Sequence, residues 1–124
     1  MEGISLKFEG NYMPLCNGGY DVPLVPRGTL YAIMDLTQEK IGSLSVYPFR
    51  SGVYLHSFVI WNEKNRNKGI GRQMLRYIKE KCSEINIYLS CAHDNDMALH
   101  LYKSECFEIA EDGNCYEMIC IKSK

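Results

Sequence analysis

Apolar and polar residues alternate along most of the 124-residue chain, and they change to helical spacing in two segments. The helical spacing predicts one helix that begins near Gly69 and another that Asp94 caps and that ends near Ser104. The first helix would bury an apolar stripe made of Ile70, Met74, Leu75, Ile78 and Cys82. The alternation predicts strands at 4–8, 30–36, 40–47, 53–61, 85–91, 107–110 and 115–121.

This order of strands, helix, strand, helix and strands predicts an α/β fold in which helices cover a mixed sheet. Residues 37–39 separate two strands closely enough to predict a hairpin. Pro14, Pro23 and Pro26 would interrupt regular structure, so 10–28 is predicted to be an irregular loop.

The composition is that of one domain spanning 1–124. A hydrophobic content of 46% is enough for one compact core, and no apolar run approaches the ~20 residues that span a bilayer. The 14 basic and 15 acidic residues give a net charge of −1, so neither nucleic acid nor an anionic membrane is an expected partner. Positive charge is nevertheless concentrated between 62 and 81, in Lys64, Arg66, Lys68, Arg72, Arg76, Lys79 and Lys81.

The six cysteines form no Cys-x-x-Cys pair, and no signal-peptide segment precedes them, so we expect reduced thiols in a cytoplasmic protein. Cys82 and Cys91 fall on the apolar sides of a helix and a strand, where a free cysteine packs as a small hydrophobe. The three histidines lack metal-ligand spacing with these thiols, so no metal is expected.

The clearest candidate for chemistry is the basic, glycine-spaced run of 66–71 at the start of the first helix. The first N–H groups of a helix have no internal partner, and glycines let an anion approach them closely. Arg76, Lys79 and Lys81 are expected on a solvated helix face. Arg66, Lys68 and Arg72, beside the glycines, are predicted to contact phosphate.

A second segment follows in which Asn95, Ala98, Leu101, Tyr102 and Phe107 recur at helical spacing. Arg-x-x-Gly-x-Gly followed by Asn-x-x-Ala-x-x-Leu-Tyr-x-x-x-x-Phe resembles the coenzyme-binding half of the GNAT superfamily, the acyl-CoA-dependent N-acetyltransferases. The resemblance covers about 29–122, and the family's usual Gly-Phe is replaced by Cys106-Phe107. It implies a GNAT-like fold in which two neighbouring parallel strands splay apart, with acetyl-CoA as co-substrate.

The resemblance also implies a site for each part of acetyl-CoA. The pyrophosphate would lie on backbone N–H groups of the helix start, and the pantetheine amides would pair with the backbone of the central strand. Asn95 would hold the pantetheine arm, although it could equally be a helix cap. The residues concerned are Val59, Ile60, Trp61, Arg66, Asn67, Lys68, Gly69, Ile70, Gly71, Arg72 and Asn95.

Two side chains are candidates for catalysis. By the resemblance, Tyr102 would donate a proton to the departing thiolate, and the alternative is a tyrosine that only packs on its helix. The carboxylate that the family often has on the central strand is absent. His56 could replace it as the base that deprotonates the amine, although a structural histidine, with water as the base, is the alternative.

The N-terminal region is short for the two helices that usually enclose the acceptor in this superfamily. We therefore expect an open acceptor groove that suits a protein or peptide amine, or that a second subunit completes in a homodimer. The predicted function is direct transfer of an acetyl group from acetyl-CoA to a primary amine in a ternary complex. The alternative is an inactive CoA-binding sensor or interaction module.

Overall fold

The computed structural model describes residues 3–14, 24–61 and 69–122. Within these ranges the chain forms seven strands and two helices in the predicted order. The elements are β1 (Ile4–Pro14), β2 (Leu24–Met34), β3 (Lys40–Phe49), β4 (Gly52–Ile60), α1 (Ile70–Lys81), β5 (Asn86–Cys91), α2 (Asp96–Ser104), β6 (Glu108–Asp112) and β7 (Tyr116–Cys120).

The strands form a single sheet in the order β1-β2-β3-β4-β5-β7-β6. The pair β4 and β5 is parallel, and the other five pairs are antiparallel. A parallel pair needs a long crossover, and the segment that contains α1 supplies it. The fold is therefore the predicted mixed α/β sheet.

One face of the sheet packs against both helices and forms the core. Cross-strand neighbours such as Leu30 and Leu44 are fully buried there, and Met74 of α1 lies against Gly42 of β3. The stripe predicted for α1 is buried, and each such side chain contributes roughly 1.5–3 kcal/mol to the free energy of unfolding.

The opposite face of the sheet carries hydroxyl, aromatic and charged side chains. Tyr47 stacks on its cross-strand partner Tyr54, and the hydroxyl of Tyr54 hydrogen-bonds Ser90 of β5. Ser90 in turn lies opposite Glu117 of β7. Within the described ranges no helix packs on this face, which we call the open face.

The prediction of an irregular loop at 10–28 was wrong at both ends of that segment. Residues 10–14 belong to β1 and 24–28 belong to β2, and 15–23 lie outside the described residues. Proline is tolerated here because Pro26 pairs with β1 alone, beyond Gly28, where the pairing of β2 with β3 begins. Gly10 and Gly28 face each other so closely that a Cβ on either would collide with backbone atoms of the other strand.

The cap of α2 also differs from the prediction. Asn95, rather than Asp94, is the N-cap residue, and its Oδ1 accepts a hydrogen bond from the backbone N–H of Ala98 at 3.2 Å. Asn95 therefore acts as a helix cap, which is the alternative role that the sequence allowed.

Cys106, which replaces the glycine of the related motif, has a φ of 74° in the turn after α2. The turn therefore keeps the left-handed backbone that glycine adopts without strain, and it does so with a side chain present. The neighbouring N–H of Phe107 donates to the carbonyl of Tyr102 at 3.0 Å, which ties the turn to α2.

Cys106→Gly is therefore expected to raise the free energy of unfolding by about 0.5–1 kcal/mol, because it removes left-handed strain from an exposed residue. Urea denaturation would measure the change. Cys106→Ala is the matched control, since it removes the thiol but keeps the Cβ. Equal stabilisation by both variants would show that the thiol, and not the backbone strain, is responsible.

Candidate active site

The two parallel strands separate after a short paired segment. β4 and β5 pair at three positions, 52–54 with 86–88, although β4 continues to Ile60 and β5 to Cys91. A cavity of about 190 Å³ lies where they separate, and both strands and α2 line it. Its lining includes His56 and Ser90, which belong to the open face, and Tyr102 from the helical side.

A bulge in β4 shapes the wall of this cavity. Ser57 has a φ of 51°, and the register between β3 and β4 shifts at this point, so that β4 contains one extra residue. Leu55 and Phe58 consequently lie on the same helical face, although they are three residues apart. No glycine or proline in the sequence marks this bulge, so it was not predicted.

A larger groove of about 850 Å³ adjoins the cavity on the helical side. It lies between the end of β4 and the N-terminal ends of α1 and α2. The structure brings together here many of the predicted cofactor-binding residues, namely Val59, Ile60, Gly69, Ile70, Gly71, Arg72 and Asn95. Its volume is within the range of ~300–1,000 Å³ that is typical of small-molecule sites.

The remaining predicted cofactor-binding residues are placed differently or are not described. Trp61 directly follows β4, and its backbone N–H donates to the carbonyl of Ile41 at 2.8 Å. Arg66, Asn67 and Lys68 lie outside the described residues.

The start of α1 has the properties that an anion site requires. Gly69 is the N-cap residue, with a φ of 79°, and no side chain caps the helix within the described residues. The N–H groups of Ile70, Gly71 and Arg72 precede the first intrahelical bond, in which Gln73 donates to Gly69 at 3.0 Å. The helix dipole adds positive potential at this end.

The basic side chains of Arg72, Arg76 and Lys79 all contact Glu105 at the end of α2. Arg76 is 66% exposed, as expected for the predicted solvated face, whereas Lys79 is 26% exposed. Nη1 of Arg72 lies 2.5 Å from a carboxylate oxygen, and Nε of Arg76 lies 3.2 Å from the other. Nζ of Lys79 donates to the backbone carbonyl of Glu105 at 2.7 Å. The side chain of Arg72 is thus engaged with α2, and its backbone N–H is the group that remains for an anion.

Tyr102 lies between the cavity and the groove and lines both. Its side chain is buried, and its ring packs near Phe58 and Phe107 at centroid distances of 6.4 and 6.0 Å. Burial raises the pKa of Tyr102 to about 12, and the neighbouring thiol of Cys91 acts in the same direction. The phenol is therefore protonated at neutral pH and is available as a hydrogen-bond donor.

His56 lies on the other wall of the same cavity and is exposed on the open face. Its Nδ1 is 3.2 Å from the hydroxyl oxygen of Ser57, and its ring packs against Tyr47 at 5.2 Å. The structure thus brings the two predicted catalytic residues to one cavity.

Within the described ranges no group of three or more His, Cys, Asp or Glu side chains could hold a metal ion. Neither α1 nor α2 is long and apolar enough to cross a membrane. The five described cysteines are free thiols, and Cys82 and Cys91 are buried as predicted.

The sequence profile of the acetyltransferase (GNAT) family matches residues 17–106, and the chain belongs to this family. No curated protein sequence matches the chain. The match to this profile confirms the membership in the GNAT superfamily that the two motifs indicated.

Solved structures share the fold at low sequence identity. Naa50 from Arabidopsis thaliana, in complex with the bisubstrate analogue CoA-Ac-MVNAL, is 23% identical, with a TM-score of 0.63 over 77% of this chain and 72% of Naa50. NAA60 from the same plant, also with a bisubstrate analogue, is 17% identical, with a TM-score of 0.65 over 77% and 75%. The PaiA N-acetyltransferase from Thermoplasma acidophilum, in complex with coenzyme A, is 19% identical, with a TM-score of 0.63, and the matched region is 75% of this chain and 59% of that protein.

Proposed function

We propose that the protein is an N-acetyltransferase that moves an acetyl group from acetyl-CoA to a primary amine. The observation that carries the proposal is the continuity of the groove at the start of α1 with the cavity between β4 and β5, with Tyr102 lining both. One end of this space offers N–H groups to an anion, and the other end holds a buried phenol. A long ligand with a phosphate at one end and a thioester at the other fits this arrangement.

In this proposal the pyrophosphate of acetyl-CoA binds the N–H groups of Ile70, Gly71 and Arg72. Each charge-assisted hydrogen bond contributes on the order of 1.5–3 kcal/mol. The pantetheine arm runs along the end of β4, near Val59, and past the N-cap of α2. The thioester reaches the cavity beside Tyr102.

The acceptor amine enters from the open face and attacks the thioester carbon directly. A carbon–nitrogen bond forms as the carbon–sulfur bond breaks, and the phenol of Tyr102 donates a hydrogen bond to the developing thiolate. Transfer occurs in a ternary complex, because residues of both faces of the sheet line the cavity, His56 and Ser90 from the open face and Tyr102 from the helical side.

For the acceptor we propose a protein or peptide amine, since no helix among the described residues covers the open face beside the cavity. Naa50 and NAA60, which share the fold, were solved with bisubstrate analogues, the first of which contains a peptide. An assay with peptides, polyamines and aminoglycosides would test the proposal, and efficient transfer to compact small amines alone would contradict it. Light scattering on the same samples would show whether a second subunit takes part.

The test of the function itself combines calorimetry with a transfer assay. We expect coenzyme A to bind and acetylated product to appear by mass spectrometry with at least one amine. Tight binding of coenzyme A with no transfer to any amine would favour the alternative of an inactive sensor. Absence of binding would overturn both.

Gly71→Leu is expected to weaken coenzyme A binding by about five- to 150-fold, which corresponds to the ~1–3 kcal/mol of an overpacked site. A Cβ at Gly71 would lie 3.4 Å from the ring of Phe58 and 3.6 Å from Leu101, so the remaining leucine carbons would enter the groove. Calorimetry measures the effect. Gln73→Leu, which adds the same side chain on the exposed side of α1, is the control, and equal weakening by both would contradict the location of the groove.

A further inference from the structure

One serine that lines the cavity between β4 and β5 is hydrogen-bonded to a carboxylate. Ser90 lines the cavity from β5, and its hydroxyl is 2.8 and 2.9 Å from the two carboxylate oxygens of Glu117. Glu117 is the direct cross-strand partner of Ser90, on β7, and its side chain is half-buried. No sequence motif indicated this pair, because its members are 27 residues apart.

We propose that Ser90 and Glu117 form the proton path by which the acceptor amine is deprotonated, in place of a carboxylate on β4. This inference rests on the proposed function and assigns the proton-accepting group of that reaction. Ser90 is the residue that would contact the amine, and Glu117 acts through it.

The chemical need for such a path follows from the pKa of amines. A lysine side chain with its ordinary pKa of ~10.4 is neutral in about one molecule in ~2,500 at pH 7, which is equivalent to ~4.6 kcal/mol. In the proposed step an N–H bond of the ammonium breaks as an O–H bond forms at Ser90. The original hydroxyl proton of Ser90 moves to Glu117, and Glu117 releases it to solvent after the acetyl group is transferred.

The groups around Glu117 are compatible with this role. Tyr54 of β4 points its hydroxyl at Ser90 and at Glu117, 3.4 Å away, and Cys115 donates its thiol to Glu117 at 3.2 Å. Burial and the negative charge of Glu117 raise the pKa of Tyr54, and the hydrogen bond to Glu117 raises the pKa of Cys115, so both neighbours stay neutral at pH 7. Glu111 of β6 is the cross-strand partner of Glu117 and carries a second negative charge on the adjacent strand.

Glu117→Gln is therefore expected to lower kcat/KM about 100-fold for a lysine acceptor at pH 7, at the low end of the effect of a general base. Two peptides serve as probes, one with a free α-amine and no lysine, and the same peptide with a blocked α-amine and one lysine. Glu111→Gln is the matched control, because it removes the same charge from the adjacent strand without removing the partner of Ser90. We expect it to change kcat/KM less than threefold.

The pH dependence separates a proton path from a structural role. The loss in Glu117→Gln should be smaller for the α-amine, whose ordinary pKa is ~7.7–8.0, and smaller for either peptide at pH 9 than at pH 7. Ser90→Ala should produce the same pattern, and the double variant should lose little more than either single variant, because the two residues act as a unit. Glu117→Asp should have a lower rate than the wild type but the same dependence on pH and on the choice of peptide.

Three results would overturn the inference while the proposed function stands. They are wild-type activity in Glu117→Gln, an equal loss in Glu111→Gln, or a loss that is the same at all pH values and for both peptides. A wild type that binds coenzyme A but acetylates neither peptide nor any other amine would overturn the proposed function and this inference together. Coenzyme A binding, measured on every variant, shows that each is folded.

Discussion

Tyr102→Phe is expected to lower kcat for acetyl transfer by about 10²–10³-fold while leaving the affinity for coenzyme A nearly unchanged. The substitution removes only the phenolic oxygen of a residue that lines both the groove and the cavity. A hydrogen-bond donor at this point stabilises negative charge that develops in the transition state, and it contributes little to binding of the ground state. Steady-state kinetics and calorimetry on the same protein would separate the two effects.

The raised pKa of Tyr102 determines what kind of donor it is. With a pKa of about 12, the phenol is a much weaker acid than a thiol with an ordinary pKa of ~8.5. Complete proton transfer to the thiolate would therefore be uphill by roughly 5 kcal/mol, at 1.36 kcal/mol per unit. Tyr102 is better suited to donate a hydrogen bond, and we expect no loss of activity from its ionisation below about pH 10.

Tyr77→Phe is the matched control for Tyr102→Phe. Tyr77 is a half-buried tyrosine of α1 whose ring contacts the ammonium of Lys81, and it is not part of the lining of the groove. We expect this variant to retain the wild-type kcat. If Tyr102→Phe were also as active as the wild type, Tyr102 would be only a packing residue, which is the alternative that the sequence left open.

The features that sequence patterns predicted are those that depend on neighbours along the chain. The apolar stripe of α1 is an example, because spacings of three and four residues are enough to place Ile70 and Met74 on one face. Several predicted cofactor-binding residues lie together in the groove for the same reason, since they belong to two short, contiguous motifs, Gly69 to Arg72 and Asn95 to Tyr102.

The features that the sequence did not predict depend on partners that are distant along the chain. Pro26 is compatible with a strand only because its part of β2 lies beyond the pairing with β3. The bulge at Ser57 is visible only in the register between β3 and β4. The contact of the Arg72 side chain with Glu105 was not predicted, because the two residues are 33 positions apart.

The second large effect is expected on stability, because three basic side chains contact the buried carboxylate of Glu105. Glu105→Gln is expected to lower the free energy of unfolding by about 3 kcal/mol and the Tm by about 10 °C. The side chain of Glu105 is only 4% exposed, and Arg72, Arg76 and Lys79 would lose the charge that compensates theirs. Since Glu105 follows Tyr102 by one turn, the same variant should also reduce kcat. Urea denaturation at pH 7 measures the main effect.

The pH dependence of the difference in free energy of unfolding between the wild type and Glu105→Gln provides an independent check. Burial alone would raise the pKa of Glu105, but hydrogen bonds from Arg76 and Arg72 and the charges of Arg76 and Lys79 hold the pKa below its ordinary value of 4.5. A carboxylate with a lowered pKa in the folded state stabilises the protein above its unfolded-state pKa, and this contribution is lost as the pH falls through the folded-state pKa. The wild type and Glu105→Gln should therefore differ most near pH 7 and converge below about pH 4.5. Glu80→Gln, which removes an exposed carboxylate from α1, should show no such convergence, and a Glu105→Gln difference that is constant with pH would contradict the ion cluster as its cause.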